Sequence, residues 1–196
     1  MEQQVVEEGN WFYSVFLRPE EEQEQGLGLG EHIGSISLRH PPTGPELPPP
    51  STFADAPEIG AGTPLSTSEL HAREGIWITK NLNLRTLGYA LFPPFWGKGY
   101  ATEAGRGLLD AYAAAIDEWR RASKDEDEDK GEEKGEGKGK EEVFYVEAGV
   151  DVENPGSQVV LRKLGFKSVG VRVEKEKAWL NGAWRGPEWW ICGQFL

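Results

Sequence analysis

The chain has 196 residues, enough for one domain with a real core, and its 21 Lys and Arg against 33 Asp and Glu leave a net charge of −12. That balance provides no basic stripe for a phosphate backbone, so no nucleic-acid partner is expected. A lone cysteine, Cys192, excludes an intrachain disulfide; with no basic-apolar leader at Met1 to Glu8 and no uncharged apolar run of about 18 residues, the expectation is a soluble cytoplasmic protein with no membrane partner.

Trp11 to Leu17 is aromatic and β-branched, as strands are, and the alternation in Ile33 to Arg39 predicts a half-buried strand. Between them, Gly26 to Gly30 reads as a flexible turn. From about 41 to 72, eight prolines and few apolar anchors predict an irregular loop, with a short turn near Thr67 to Ala72. Gly75 to Thr79 and Thr86 to Leu91 read as two more strands, paired through a turn at Asn81 to Asn83. Thr102 can cap a helix to about Ala122, because Leu108, Leu109, Tyr112, Ile116 and Trp119 recur at three- and four-residue spacing. The Lys/Glu/Asp/Gly tract at about 123–142 predicts a disordered linker. Val143 to Val150 then reads as a strand, Pro155 to Leu164 as a short helix ended by Gly165, and Phe166 to Glu174 with Trp189 to Phe195 as a closing hairpin. The sum is a single α/β domain over 1–196 with a mixed sheet.

The segment Leu87 to Ala104 carries the most chemistry. An apolar run enters a turn with Gly97 and Gly99, then a helix. Glycines at such a junction let several N–H groups converge, and the positive end of the helix dipole adds to them. A lone Gly-x-Gly is also an ordinary structural turn. It is not a Walker A loop, since no Gly-x4-Gly-Lys-Ser/Thr occurs. Nor does it fit the dinucleotide fingerprint, because Thr102 stands where the third glycine belongs.

Two stretches together are more specific. Trp96-Gly97-Lys98-Gly99-Tyr100-Ala101 resembles the Gln/Arg-x-x-Gly-x-Gly/Ala segment of the GNAT family of N-acetyltransferases, and Tyr100-Ala101-Thr102-Glu103-Ala104 resembles its RimJ/RimL-type subgroup. Further on, Val146 to Ser157 followed by Val160 to Phe166 resembles the subgroup's second segment: a strand, Asn-x-x-Ser, a helix and Lys-Leu-Gly-Phe. Trp96 replaces the general Gln or Arg, as the subgroup often does. The likeness is good over about 75–170 and weaker before.

The resemblance implies a mostly antiparallel mixed sheet with flanking helices, in which a splayed parallel pair, Gly88–Phe92 and Val146–Val150, admits acetyl-CoA. It implies that backbone N–H groups of Trp96, Gly97, Lys98, Gly99, Tyr100, Ala101 and Thr102 hold the pyrophosphate, with Lys98 adding charge. Backbone of Leu91 and Phe92 would take the pantetheine arm, one N–H polarising the thioester carbonyl, a contact worth about 3 kcal/mol. Asn154, otherwise an ordinary helix cap, would bond the pantetheine. The implied reaction is direct attack of a neutral amine within a ternary complex. Many family members donate a proton to the leaving thiolate from a Tyr where this chain has Leu161, so Ser157 is the expected substitute. Glu147 is the candidate base, reaching through water. His32, His40 and His71 lack metal-like spacing, and no metal is expected.

Acceptors in order of expectation are a protein N-terminal α-amine, then a small amine. Roughly a tenth of α-amines are neutral at pH 7, against under about a thousandth of lysines. The family's first strand and two helices do not fit into the residues before Trp11, which implies missing N-terminal elements. With Leu161, this sustains an alternative, a non-catalytic acyl-CoA-binding or scaffold protein. A weaker reading is an interaction protein using its acidic linker. The expected state is monomer or homodimer. Trp179, Trp184, Trp189 and Trp190 read first as packing in the closing hairpin, and second as lining for the acceptor cleft or a dimer seam.

Overall fold

A computed structural model describes residues 9–18, 30–54, 56–57, 59–60, 64–77, 81–129, 142–180 and 183–196. Among these, six strands form one sheet in the order β1-β2-β3-β4-β8-β5. They are β1 (Trp11–Phe16), β2 (His32–Arg39), β3 (Asn81–Leu91), β4 (Glu142–Asp151), β5 (Lys167–Val173) and β8 (Glu188–Phe195). A separate small hairpin, β6 (Ala178–Leu180) with β7 (Ala183–Arg185), lies in the connection from β5 to β8. All neighbours in the large sheet are antiparallel except β3 and β4. The expected pairing of the last two long strands holds, and β8 inserts between β4 and β5.

Helix α2 (Tyr100–Asp129) and helix α3 (Pro155–Lys163) cover one face. The apolar stripe read from the sequence makes that contact. Leu108, Leu109, Tyr112 and Ile116 are buried with Leu38, Leu87, Phe144, Val146 and Leu161. Trp119 sets its ring edge-on to Phe144 at 5.4 Å. Each such side chain contributes about 1.5–3 kcal/mol by leaving water. Helix α2 also runs past the expected end at Ala122 to Asp129, because Lys124, Glu126 and Glu128 are good helix formers and no Gly or Pro interrupts the run. The remainder of the expected linker, 130–141, lies outside the described residues, as does the Gly26–Leu29 part of the predicted turn.

The segment between β2 and β3 departs most from expectation. Residues 75–77 are not a strand but the end of helix α1 (Thr67–Trp77), while 78–80 lie outside the described residues. Asn81–Asn83 is not a turn; it opens β3 and pairs with Glu142–Phe144 of β4. The overlooked signal is a capping box at Ser66. The Ser66 N–H donates to Glu69 Oε2 at 2.9 Å, and the Glu69 N–H donates back to Ser66 Oγ at 3.3 Å.

The proline-rich stretch before α1 forms a strap along the sheet's second face and its β5 edge. Phe53 stacks on Tyr145 at 6.4 Å, and Arg73 of α1 donates to the Val169 carbonyl at 2.9 Å. Gly170 makes room for the strap, because a β-carbon there would come within 3.0 Å of Leu47. Near its middle, Ile59 is buried in the core.

Candidate active site

The parallel ladder between β3 and β4 runs from Asn81/Glu142 to Thr86/Glu147 and stops. Beyond that rung each strand follows its outer neighbour. Leu87 to Leu91 stay paired with Leu38 to Gly34 of β2, and Ala148 to Asp151 with Cys192 to Trp189 of β8. The two inner edges are left facing each other across a cavity of about 280 Å³, whose walls include Tyr89, Gly149, Asn154, Ser157 and Leu161.

Hydrogen-bond alternation determines which main-chain groups face that cavity. The Phe92 N–H donates to the Ile33 carbonyl at 2.9 Å. In an antiparallel ladder, bonded pairs alternate with pairs whose N–H and C=O point away from the partner strand. Leu91 and Tyr89 are therefore the residues whose peptide groups point toward the gap. This corrects the expectation for the pantetheine arm: the Leu91 N–H is available there, but the Phe92 N–H is spent on β2. The Leu91 carbonyl is also taken, accepting the Trp96 indole N–H at 2.6 Å.

The glycine loop leaves the end of β3 through a short 3-10 turn, Pro93–Phe95. Gly97 (φ 72°) and Gly99 (φ 90°) adopt left-handed backbone, and the space where a side chain would start is open at both. Two amides expected to face a ligand are used internally: Trp96 N–H donates to the Pro93 carbonyl at 3.2 Å, and Thr102 N–H to the Gly99 carbonyl at 2.9 Å. Those of Gly97, Lys98, Gly99, Tyr100 and Ala101 have no intramolecular acceptor among the described residues. They sit at the start of a 30-residue helix, whose dipole favours an anion there. The Lys98 ammonium lies 5.5 Å from the centre of the Phe95 ring. Beside the loop, an open cleft between α2 and α3 carries Arg106 and Lys163 together with Glu103 and Asp110.

Asn154 caps α3, its Oδ1 accepting the Ser157 N–H at 3.1 Å, so the local role weighed in the sequence is filled. Its amide nitrogen has no partner among the described residues, and the side chain borders the cavity. Ser157, one turn on, also borders it. Leu161 is 1 % exposed and closes the floor.

Glu147 is not a solvated strand residue. It is 1 % exposed, and the strap seals it, the Glu46 N–H donating to Glu147 Oε2 at 3.0 Å. Burial raises its pKa from 4.5 to about 7, partly countered by a hydrogen bond with the Thr86 side chain. Glu147 does not line the cavity; Thr86 does, and stands between them.

Three wall residues escaped the sequence reading. Tyr89 packs against the core from the open part of β3, and its hydroxyl donates to the Ser157 carbonyl across a long 3.4 Å. Asp151, nearly buried, pairs with Arg185 of β7 (Nε to Oδ2, 3.4 Å), and both border the cavity on the strap side. Strand alternation was the available signal for Tyr89. Nothing local marked Arg185, which comes from a hairpin absent from the predicted elements. Among the described residues no group of three or more His, Cys, Asp and Glu could hold a metal, and no helix is long and apolar enough to cross a membrane.

An "Acetyltransferase (GNAT) domain" family model matches residues 2–167 of this chain. The chain belongs to the GNAT acetyltransferase family. No curated protein matches its sequence. Similar solved structures include Mycobacterium smegmatis RimJ in complex with CoA-disulfide, at 18% identity and TM-score 0.44, covering 85% of this chain and 48% of that one. A GNAT-family acetyltransferase from Bacillus anthracis gives 14%, 0.45, 94% and 65% in the same order. Mutant forms of the spermidine/spermine N-acetyltransferase SpeG from Vibrio cholerae give 12%, 0.47, 98% and 70%. The chain thus spans from about half to about two thirds of the length of these neighbours, and the family assignment rests on the domain match.

Proposed function

We propose that this GNAT-family chain transfers the acetyl group of acetyl-CoA to a primary amine by direct attack in a ternary complex. The observation that carries the reading is the ladder ending at Thr86/Glu147 beside five unengaged amides at 97–101. A gap flanked by strand edges suits an extended, amide-bearing arm, and converging N–H groups at a helix start suit a diphosphate. In this reading the amides of residues 97–101 hold the pyrophosphate, and the Leu91 N–H serves the arm or the thioester carbonyl. The Asn154 amide nitrogen and Ser157 meet the arm from α3. Arg106 and Lys163 receive the remaining phosphate.

On the strap side Glu147 serves as base through the Thr86 hydroxyl or water. A carboxylate titrating near 7 is matched to that task at neutral pH. A protein N-terminal α-amine is the favoured acceptor, since with a pKa near 8 it needs only such a modest base. A cytoplasmic setting suits the buried, unpaired Cys192.

The test is to incubate the chain with acetyl-CoA and a panel of peptides with free α-amines, polyamines and amino sugars, following thiol release and acetyl gain by mass. Transfer to α-amine peptides over the other classes supports the proposal in full. Acetyl-CoA binding with no turnover on any amine would leave the second reading, an acyl-CoA-binding protein, which Leu161 at the usual Tyr position favours.

A further inference from the structure

We propose that the Tyr89 hydroxyl delivers the proton to the sulfur of departing coenzyme A, a task left open by the leucine at 161. The proposal rests on the acetyl-transfer reading and adds the acid that reading lacks.

The first argument is position. Tyr89 lies three residues past the last β3–β4 rung, on the stretch whose inner edge lines the gap. Its ring is on the helical side of the sheet. Two residues earlier Leu87 enters the core, and two before that Arg85 stacks over Tyr112 of α2, 5.8 Å from its ring centre. Leu161 and Ser157 border the same cavity from α3, and the phenol meets that helix at the Ser157 carbonyl, so its hydroxyl lies on the wall of the space that admits the arm.

The second argument is chemical elimination among the hydroxyl and thiol groups there. Leu161 carries no proton to give. Cys192 is fully buried in the sheet, and burial pushes its thiol up to about 12. The Ser157 and Thr86 hydroxyls are aliphatic alcohols, far less acidic than a phenol, whose ordinary pKa near 10 lies much closer to a thiol's 8.5. Burial raises Tyr89, only partly offset by its bond to Ser157, so it is protonated at neutral pH and acts as donor rather than base. Its present acceptor is the Ser157 carbonyl at a long 3.4 Å, a weak bond that a developing thiolate would outcompete.

The step balances without a further reactant. The amine lone pair bonds to the carbonyl carbon while the C=O π pair moves to oxygen, and that pair then reforms C=O as the C–S bond breaks. Sulfur leaves with the C–S electrons and takes the Tyr89 proton. Glu147 takes the proton shed by the acceptor nitrogen and returns it through water to the phenolate, leaving an amide, a thiol, neutral Tyr89 and the starting carboxylate.

Tyr89→Phe keeps the ring and removes only the hydroxyl, with circular dichroism checking the fold. Two readouts are independent. For turnover on an α-amine peptide, the variant should lose at least about 100-fold in kcat, the range for a positioned acid, while its acetyl-CoA dissociation constant stays within about two-fold. For the contact itself, calorimetry with CoA and with desulfo-CoA, which lacks the sulfur, should show a preference for CoA that Tyr89→Phe erases. Wild-type turnover that survives in Tyr89→Phe overturns the proposal, as does an unchanged CoA preference. A wild type that turns over no amine but whose CoA preference depends on Tyr89 overturns the acetyl-transfer reading while supporting the contact with sulfur.

Discussion

Thr86 and Glu147 form the last rung of the parallel ladder and share a side-chain hydrogen bond at the point where β3 and β4 part. The same rung thus marks the vertex of the gap and carries a buried carboxyl hydrogen-bonded to a residue of the cavity wall. Thr86 borders the cavity, and Glu147 stands behind it under the Glu46 N–H of the strap. In the proposed reaction, proton traffic between acceptor and Glu147 would pass through the Thr86 hydroxyl or a water.

Glu147 should make stability and, in the proposed reaction, activity depend on pH in opposite senses. Its pKa is about 7 when folded, against an ordinary value of 4.5. A raised carboxyl costs nothing below pH 4.5, and the cost grows to about 3 kcal/mol as pH rises through 7. Glu147→Gln, which keeps an oxygen for the Glu46 N–H, should therefore raise Tm by several degrees at pH 8 and leave it nearly unchanged at pH 4.5. The same variant should lose the rise in kcat/KM near pH 7 and drop about 100-fold at pH 8. Paired melting curves and pH-rate profiles check both; equal Tm shifts at the two pH values would contradict the burial argument.

Gly99 should be a binding residue through its backbone alone. A β-carbon there meets nothing within 4 Å, but φ is 90°, which L side chains rarely adopt. Gly99→Val should cost about 1–3 kcal/mol of local strain, redirect the 97–101 amides and weaken CoA binding at least ten-fold, with circular dichroism unchanged. Undiminished CoA affinity in calorimetry would remove these amides from the diphosphate site.

Which parts of this were legible in the sequence follows from the range of each signal. Short-range patterns read well: the alternation in β2, the stripe from Leu108 to Trp119, and the glycines at 97 and 99 all carry their geometry locally. Helix α1 was hidden because its helical face is weakly amphipathic and Ile76-Trp77 mimics a strand; only the capping box at Ser66 marked it. The burial of Glu147 was not legible, since the group that seals it, the Glu46 N–H, lies 101 residues away. Tyr89 was legible only as one position in the alternation along β3, opposite the helix where Leu161 stands at the family's tyrosine position. The hairpin that delivers Arg185 to Asp151 has strands of three residues, too short for any period to show.

Arg106 and Lys163 should read the phosphate that distinguishes CoA from dephospho-CoA. They occupy the cleft beside the loop rather than the gap, so their charge acts at a distance from the thioester. Changing either to Glu should weaken CoA by several-fold at low salt, less at high salt, and leave dephospho-CoA nearly unaffected. Calorimetry with both ligands at two salt concentrations checks this. An equal loss for both ligands would assign the pair to the diphosphate instead.

Asn154 allows its structural and ligand roles to be separated by two substitutions. Its Oδ1 accepts the Ser157 N–H, and Asp performs that task as well as Asn at a helix start, whereas Ala does not. Asn154→Ala should therefore cost about 1 kcal/mol, a fall in Tm of about 2–4 °C for a domain of this size. Asn154→Asp should keep the wild-type Tm, because the cap survives and a carboxylate suits the dipole. What Asp cannot supply is the amide N–H₂ beside the cavity. If that group holds a carbonyl of the pantetheine arm, Asn154→Asp should lose acetyl-CoA affinity as much as Asn154→Ala, despite the intact helix, since an acceptor now faces an acceptor. Affinity that instead tracks Tm across the two variants would reduce Asn154 to its cap.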